Sequence, residues 1–225
     1  MKLKPLLQKL TKLLLSGKKP QKNWGRAGMK EEKYSLSLRY QILLGLFFAL
    51  CNLALNFLNQ VKPDFSIPLY MDTLFTVSAS FFGLISGLIC AVIYHLACTL
   101  VNHYELATLS WTICSVSVVV IIRLYILKRP EIHISDIILL IFLNALVISL
   151  EGAFIFTVLN LIAEYKEDSQ IRFMYGLLSA NNVPVFISAL LPRVPVNILD
   201  KGICVSLGYL AYIGINKILK ALKKA

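Results

Sequence analysis

Six polar residues sit in stretches that are otherwise apolar: Asp72, His95, Glu151, Asn197, Asp200 and Lys201. A charge at the centre of a bilayer costs roughly 2.5–3.5 kcal/mol on insertion scales, so such residues need a reason. The sharpest case is "RVPVNILDKGICVSLGYLAYIGI", Arg193–Ile215, where an Asp–Lys pair opens an apolar run. Two chemistries fit. Lys201 with Asp200 or Asp72 makes an interhelical clasp that holds a bundle together. Alternatively, these residues line a pocket, open to the outside, that binds a small polar molecule.

The neighbours of these residues carry both chemistries further. Asp72 shares a helical face with Thr76, Ser80 and Gly83 at steps of four and three. Gly83, Gly87, Ala91 and His95 follow at steps of four, a small-residue stripe ending in a titratable ring. Small residues let helix backbones approach closely, so Gly83 and Gly87 read as packing positions. His95 is either a buried donor or part of a site. Glu151 lies mid-run, with Asn144 two turns before it on the same face. It is neutral, or paired with His95 or Lys201. Arg123, near the end of its run, reads as snorkelling to the interface.

Catalytic chemistry lacks its residues. Intramembrane aspartyl proteolysis needs paired Asp motifs, one of them G-x-G-D, and here the flanks are "LYMD" and "NILD". There is no G-x-S-x-G, H-E-x-x-H or Cys–His constellation, and the chain reads as a non-enzyme. Cys51, Cys90, Cys98, Cys114 and Cys204 show no CxxC spacing and read as packing residues rather than metal ligands. No cofactor is implied.

The elements that must position these residues follow from composition. The chain is 57% hydrophobic and 16% charged, with mean hydropathy +0.71. A soluble domain carries about a quarter charged residues. Runs of about 20 apolar residues read as transmembrane helices, and the alternation of a membrane β-barrel is absent. The expected fold is therefore all-α: a polytopic membrane protein of about six helices in one bundle. The spans are Tyr40–Leu58, Ile67–Phe82, Leu84–Asn102, Leu109–Leu127, Asp136–Ala163 and a sixth from near Pro195 to about Ile218. Gln170–Leu191, cut off by Pro192 and Pro195, reads as a docked or re-entrant piece. In that scheme Asn197, Asp200 and Lys201 occupy the first turns of the sixth helix, in the outer half of the bundle, level with Asp72.

Charge sets the orientation. Lys2, Lys4, Lys9, Lys12, Lys18, Lys19, Lys22, Arg26, Lys30, Lys33 and Arg39 crowd the N-terminal region. Lys128 and Arg129, then Lys217, Lys220, Lys223 and Lys224, fall on the same side if there are six spans. The other side holds Lys62, Lys166, Arg172 and Arg193, balanced by Asp64, Glu105, Glu164, Glu167 and Asp168. The positive-inside rule then puts both termini in the cytoplasm of a multi-pass cell-membrane protein. The net charge of +11 is explained by that asymmetry and by affinity for anionic membrane lipid, not by nucleic acid. Leu6, Leu7, Leu10, Leu13 and Leu14 share one helical face, so an N-terminal amphipathic helix is expected on the inner leaflet. The organisation is then 1–39, basic amphipathic helix and linker; 40–218, transmembrane domain; 219–225, basic tail.

"IPLYMDTLFTVSASFFGLISGLICAVIYHL", Ile67–Leu96, resembles the second and third helices of S components, the substrate-binding membrane subunits of energy-coupling factor (ECF) transporters. Those helices share a proline-led polar opening, an apolar run and a G-P-x-x-G-like turn. Gly83 and Gly87 match the glycines, and Leu84 replaces the proline. "PVNILDKGICVSLGYL", Pro195–Leu210, is similar to the last helix of S-component-like domains, where a proline and a D-K pair recur. The resemblance implies a six-helix protein that captures a vitamin or related small solute from outside. Its small-molecule ligand would meet Asp72, His95, Glu151, Asn197, Asp200 and Lys201. The chain has no G-x-x-x-x-G-K-[ST] loop, so a coupling transmembrane subunit and ATPase subunits are the implied partners. S components dock on the coupling subunit through small residues of the first helix. Gly45 and Ala49 stand there, without the usual paired-alanine pattern. The alternatives are a membrane sensor acting through a separate partner and a structural membrane protein.

Overall fold

A computed structural model describes residues 37–60, 70–101, 107–127, 129, 131–163 and 169–224. The amphipathic helix expected at the N-terminus lies outside these residues. Regular structure among them is entirely helical: α1 (Leu38–Gln60), α2 (Leu74–Phe82), α3 (Leu84–Val101), α4 (Ala107–Ser110), α5 (Thr112–Leu127), α6 (Ile134–Ala163), α7 (Ser169–Ala180) and α8 (Val185–Lys224). Five stretches are long and apolar enough to cross a membrane: Leu38–Leu58, Leu84–Val101, Ala107–Leu127, Ile134–Ile162 and Val185–Ile218. Helices are what a bilayer permits, because every backbone polar group is satisfied within the segment.

The side chains are distributed as lipid demands. Leu43, Phe47 and Leu50 of α1 and Leu139, Phe142 and Leu146 of α6 face outward, while Thr76, Ser80, Ser86, Ser115 and Ser149 are buried. Contacts give the helix directions. Gly45 meets Ser86 and Ile89, and Asn56 meets Cys98, so α1 and α3 run parallel. His95 meets Ser115, Ser117 meets Glu151, and Asn197 meets Ser149, so α3, α5, α6 and α8 alternate. The start of α1 and the end of α8 therefore lie at the same end of the bundle, where Ile215 packs against the cluster of Phe48 and Ala49.

Two expectations are corrected. The second span, expected over Ile67–Phe82, has a helix of only 9 residues, about 14 Å at 1.5 Å per residue. That is half of a hydrocarbon core of about 30 Å. This half-helix, α2, is enclosed by α1, α3, α5 and α8. Asp72 and Thr73 immediately before an apolar run are a helix-start signal, which is where the backbone turns. Both ends of α2 find partners outside themselves. At its start Asn52 of α1 accepts the Phe75 N–H at 3.0 Å, and Asp200 of α8 accepts the Met71 N–H at 2.7 Å. At its end Arg123 donates to the Ser80 and Phe81 carbonyls at 3.3 and 3.4 Å. A carboxylate at the N-terminus and a guanidinium at the C-terminus both complement the helix dipole. Arg123 thus turns inward and does not snorkel.

The second correction concerns the prolines. α8 runs unbroken for 40 residues through Pro192 and Pro195. A helical proline removes an N–H and pushes on the preceding turn. The carbonyls that lose an i+4 N–H are those of Ser188 and Leu191; the Arg193 guanidinium donates to the nearby Ala189 carbonyl at 2.8 Å, and the long packing of α8 along α6 carries the helix through the prolines. The proline that opens the helix is Pro184, whose carbonyl accepts the Ser188 N–H at 2.9 Å. Gln170–Leu191 accordingly divides between α7 and the first turns of α8. Asn197, Asp200 and Lys201 lie deep in α8, opposite the middle of α6, and not in the first turns of a sixth helix.

Gly83, between α2 and α3, is tucked against the Gln41 side chain, and a Cβ at Gly87 would lie 2.7 Å from both Ser80 Oγ and Val119 Cγ1. Gly45 and Ala49 also pack inward. A Cβ on Gly45 would come within 2.8 Å of the Ser86 carbonyl, and Ala49 is buried in the α1–α2–α3 cluster.

A buried charge cluster at the start of the half-helix

Lys201 is the centre of the site. Its side chain is 2% exposed, beside an Asp200 that is 0% exposed. Nζ donates to Asp200 Oδ2 at 2.6 Å and to Thr73 Oγ1 at 2.8 Å, and lies 3.6 Å from Asp72 Oδ1. Of the three N–H donors of an ammonium, Asp200 and Thr73 take two, and Asp72 lies beyond hydrogen-bond distance. Asp200 is complete: Oδ2 takes Lys201 and Oδ1 takes the Met71 N–H. Met71 itself has φ of 49°, the left-handed region that a non-glycine residue seldom adopts. The pair therefore holds the chain as it turns into α2.

Asp72 is different. Its side chain is 37% exposed, and its Oδ1 is buried without a hydrogen-bond donor. Glu151 accepts the Ser117 hydroxyl on Oε1 at 2.6 Å, and its Oε2 is buried without a donor. Its expected pairing with His95 or Lys201 does not form. His95 instead bonds Ser115 Oγ at 2.8 Å through Nε2, which ties it to α5. Asn197 donates to Ser149 at 3.0 Å and ties α8 to α6.

Asp72, Asp200 and Lys201 are thus in direct contact, while His95 and Asn197 are engaged in separate interhelical bonds. Cys114 on α5 marks what lies between. It is buried, 6% exposed, in the core cluster that also holds Val77 of α2, Ile148 of α6 and Cys204 of α8. Arg193, expected among the outer loop charges, is buried at 4% exposure. Its guanidinium lies 5.3 Å over the Phe156 ring, a cation–π distance. A Cβ on Gly152 would sit 3.3 Å from its Nε.

Asn52, Thr73, Ser117 and Arg193 are site residues that sequence reasoning missed. Only Thr73 carried a signal, as a helix-start residue. The others act across helices, at positions where the chain alone shows one polar residue in an apolar run. Among the described residues, no group of three or more His, Cys, Asp and Glu is placed to hold a metal ion. The arrangement offers acceptors and fixed charges. No known protein family, curated protein or solved structure matches this chain.

Proposed function

We propose that the chain is an integral membrane, small-molecule-binding subunit of an ECF-type uptake transporter. It takes a vitamin or similar small solute from outside and works with a coupling transmembrane subunit and ATPase subunits. In this reading the bundle makes six passes with α2 completing the second. Both termini are cytoplasmic, and the N-terminal amphipathic helix lies on the inner leaflet of the cell membrane. The observation that carries the reading is the half-helix. Discontinuous helices that begin or end mid-bundle are how transport proteins build solute sites at the membrane's midplane, and α2 begins there beside buried charges and the half-exposed Asp72. Intramembrane ionisable groups favour function by default.

The division of labour is specific. Asp200, Lys201 and Thr73 position the start of α2, and Asp72 and Glu151 face the solute. The test is a melting screen of the purified protein against vitamins, nucleobases and amino acids. A stabilising compound whose effect follows its concentration supports the reading. A wild-type protein that no compound stabilises sinks it, and leaves a structural membrane protein whose charges clasp the bundle. The complete pairing of Asp200 with Lys201 is the observation on that side.

A further inference from the structure

Among the described residues four buried side-chain atoms lack a hydrogen-bond partner: Arg123 Nε, a donor at the far end of α2, and three oxygens, Asp72 Oδ1, Asn144 Oδ1 and Glu151 Oε2. All three oxygens are acceptors. A buried polar atom without a partner costs about 1–3 kcal/mol, so three of one kind call for an explanation. Asn144 is the most telling. It is 0% exposed, its Nδ2 is used by the Leu140 carbonyl at 2.7 Å, and its Oδ1 faces no donor. The register of α6 on α8, set by Ser149 against Asn197 and Ile141 beneath Gly202, puts Asn144 level with Asp200 and Lys201. Glu151 lies seven residues further along α6, about 10 Å away.

The local charges point the same way. Among the described residues the cluster holds three carboxylates, Asp72, Asp200 and Glu151, against two cations, Lys201 and Arg193. The formal sum is −1. A buried carboxylate without compensation is costly and takes up a proton or a cation. Metal-ligand clustering is not present among these residues, and the orphaned oxygens ask for N–H groups.

We propose, resting on the solute-binding reading above, that the solute is a small organic monocation with N–H donors, a protonated amine. Its ammonium meets Asp72, the half-exposed carboxylate; one ammonium does not span the roughly 10 Å from Asn144 to Glu151, so Glu151 favours the cation through its charge. Lys201 does not repel it, because Asp200 at 2.6 Å neutralises that ammonium. An anionic solute would meet a surplus of negative charge and three acceptors with nothing to accept.

The test uses the purified full chain and matched trios of one skeleton: butylamine, butanol and butyrate, then benzylamine, benzyl alcohol and benzoate, each at neutral pH. Melting temperature is read for wild type, Asp72→Asn and Glu151→Gln, with unliganded melting measured first to confirm that both variants fold. The expected result is stabilisation by the amines alone, roughly 5–10 °C at a hundredfold excess over Kd. That shift should fall to near zero in Asp72→Asn and fall in part in Glu151→Gln, which loses only a charge from the surplus. Equal or greater stabilisation by an alcohol, a carboxylate or an uncharged vitamin overturns the cation while leaving solute binding intact. Amine stabilisation that persists in both variants overturns the site. If no member of the trios and no screened compound stabilises the wild type, the cation and the solute-binding reading fall together.

Discussion

Asp72, in the turn before α2, and Asp200, the neighbour of Lys201 on α8, reach for the same lysine, and their surroundings are not alike. Asp200 is wholly buried with both oxygens engaged, one by Lys201 Nζ at 2.6 Å and one by the Met71 N–H at 2.7 Å. Asp72 stands 3.6 Å from the same Nζ, half-exposed, with a buried oxygen that nothing bonds. Two aspartates that are equivalent as letters thus do opposite work. One fixes the backbone and the other is left available. Charge in a membrane interior does not identify a site until its satisfaction has been counted.

The largest effect that separates the two should come from Lys201 itself. Removing one member of a buried pair leaves the other charge uncompensated and typically costs about 3–5 kcal/mol. Lys201→Met is therefore expected to destabilise the bundle by about that much, because Asp200 has no other cation. The double variant Asp200→Asn/Lys201→Met should recover much of the loss, and Asp72→Asn/Lys201→Met much less. Thermal melting in detergent measures all four proteins. Equal rescue by either aspartate would erase the distinction.

Next in size is the packing that brings α2 against its neighbours. A Cβ at Gly87 already meets Ser80 and Val119 at 2.7 Å, and overpacking costs roughly 1–3 kcal/mol, sometimes more. Gly83→Leu and Gly87→Leu should each disrupt folding more than Cys98→Leu, whose side chain starts larger. Indistinguishable melting of the three would show that α2 is not held by close backbone approach.

Asn52→Ala should cost less again, about 1–2 kcal/mol, the range for losing a helix N-cap. It removes the acceptor for the Phe75 N–H and frees the α2 start that Asp200 also holds. Hydrogen exchange at Phe75 and Thr76 should rise while α6 stays protected. Unchanged exchange at both amides would mean that Asp200 holds the turn alone.

The sequence and the structure agree where a single physical rule decides. Long apolar runs had to be helices, so α1, α3, α5 and α6 fall where expected. Disagreement comes where a rule meets a tertiary exception. Pro192 and Pro195 read as breakers because the sequence does not show that α8 will pack along α6 through them. Ile67–Phe82 read as a span because apolarity does not reveal a backbone that starts its helix at Leu74 and takes its caps from α1, α5 and α8. Asp72, Asp200 and Lys201 were legible as a cluster, since few other charges occur in apolar stretches. Which oxygen is satisfied was not legible, because that depends on Thr73, Met71 and Ser117 arriving from other helices.

The smallest stability effect should belong to Asp72, and it sharpens the contrast most. Asp72→Asn keeps the shape and removes the charge. Its contact with Lys201 is long and its side chain is 37% exposed, so solvent screening limits the loss to under about 1 kcal/mol. Nothing in the turn depends on it, because Thr73 and Asp200 carry the Lys201 hydrogen bonds. Asp200→Asn weakens the partner of a wholly buried ammonium and should melt several degrees lower. If Asp72 is the group left for a solute, its variant keeps near-wild-type melting and loses ligand stabilisation. Asp200→Asn, measured at a temperature where it is folded, should still respond to ligand. Comparing melting with and without the stabilising compound in the two variants decides it. A variant of Asp72 that melts as low as that of Asp200, or that still responds fully to ligand, would place both aspartates in the clasp.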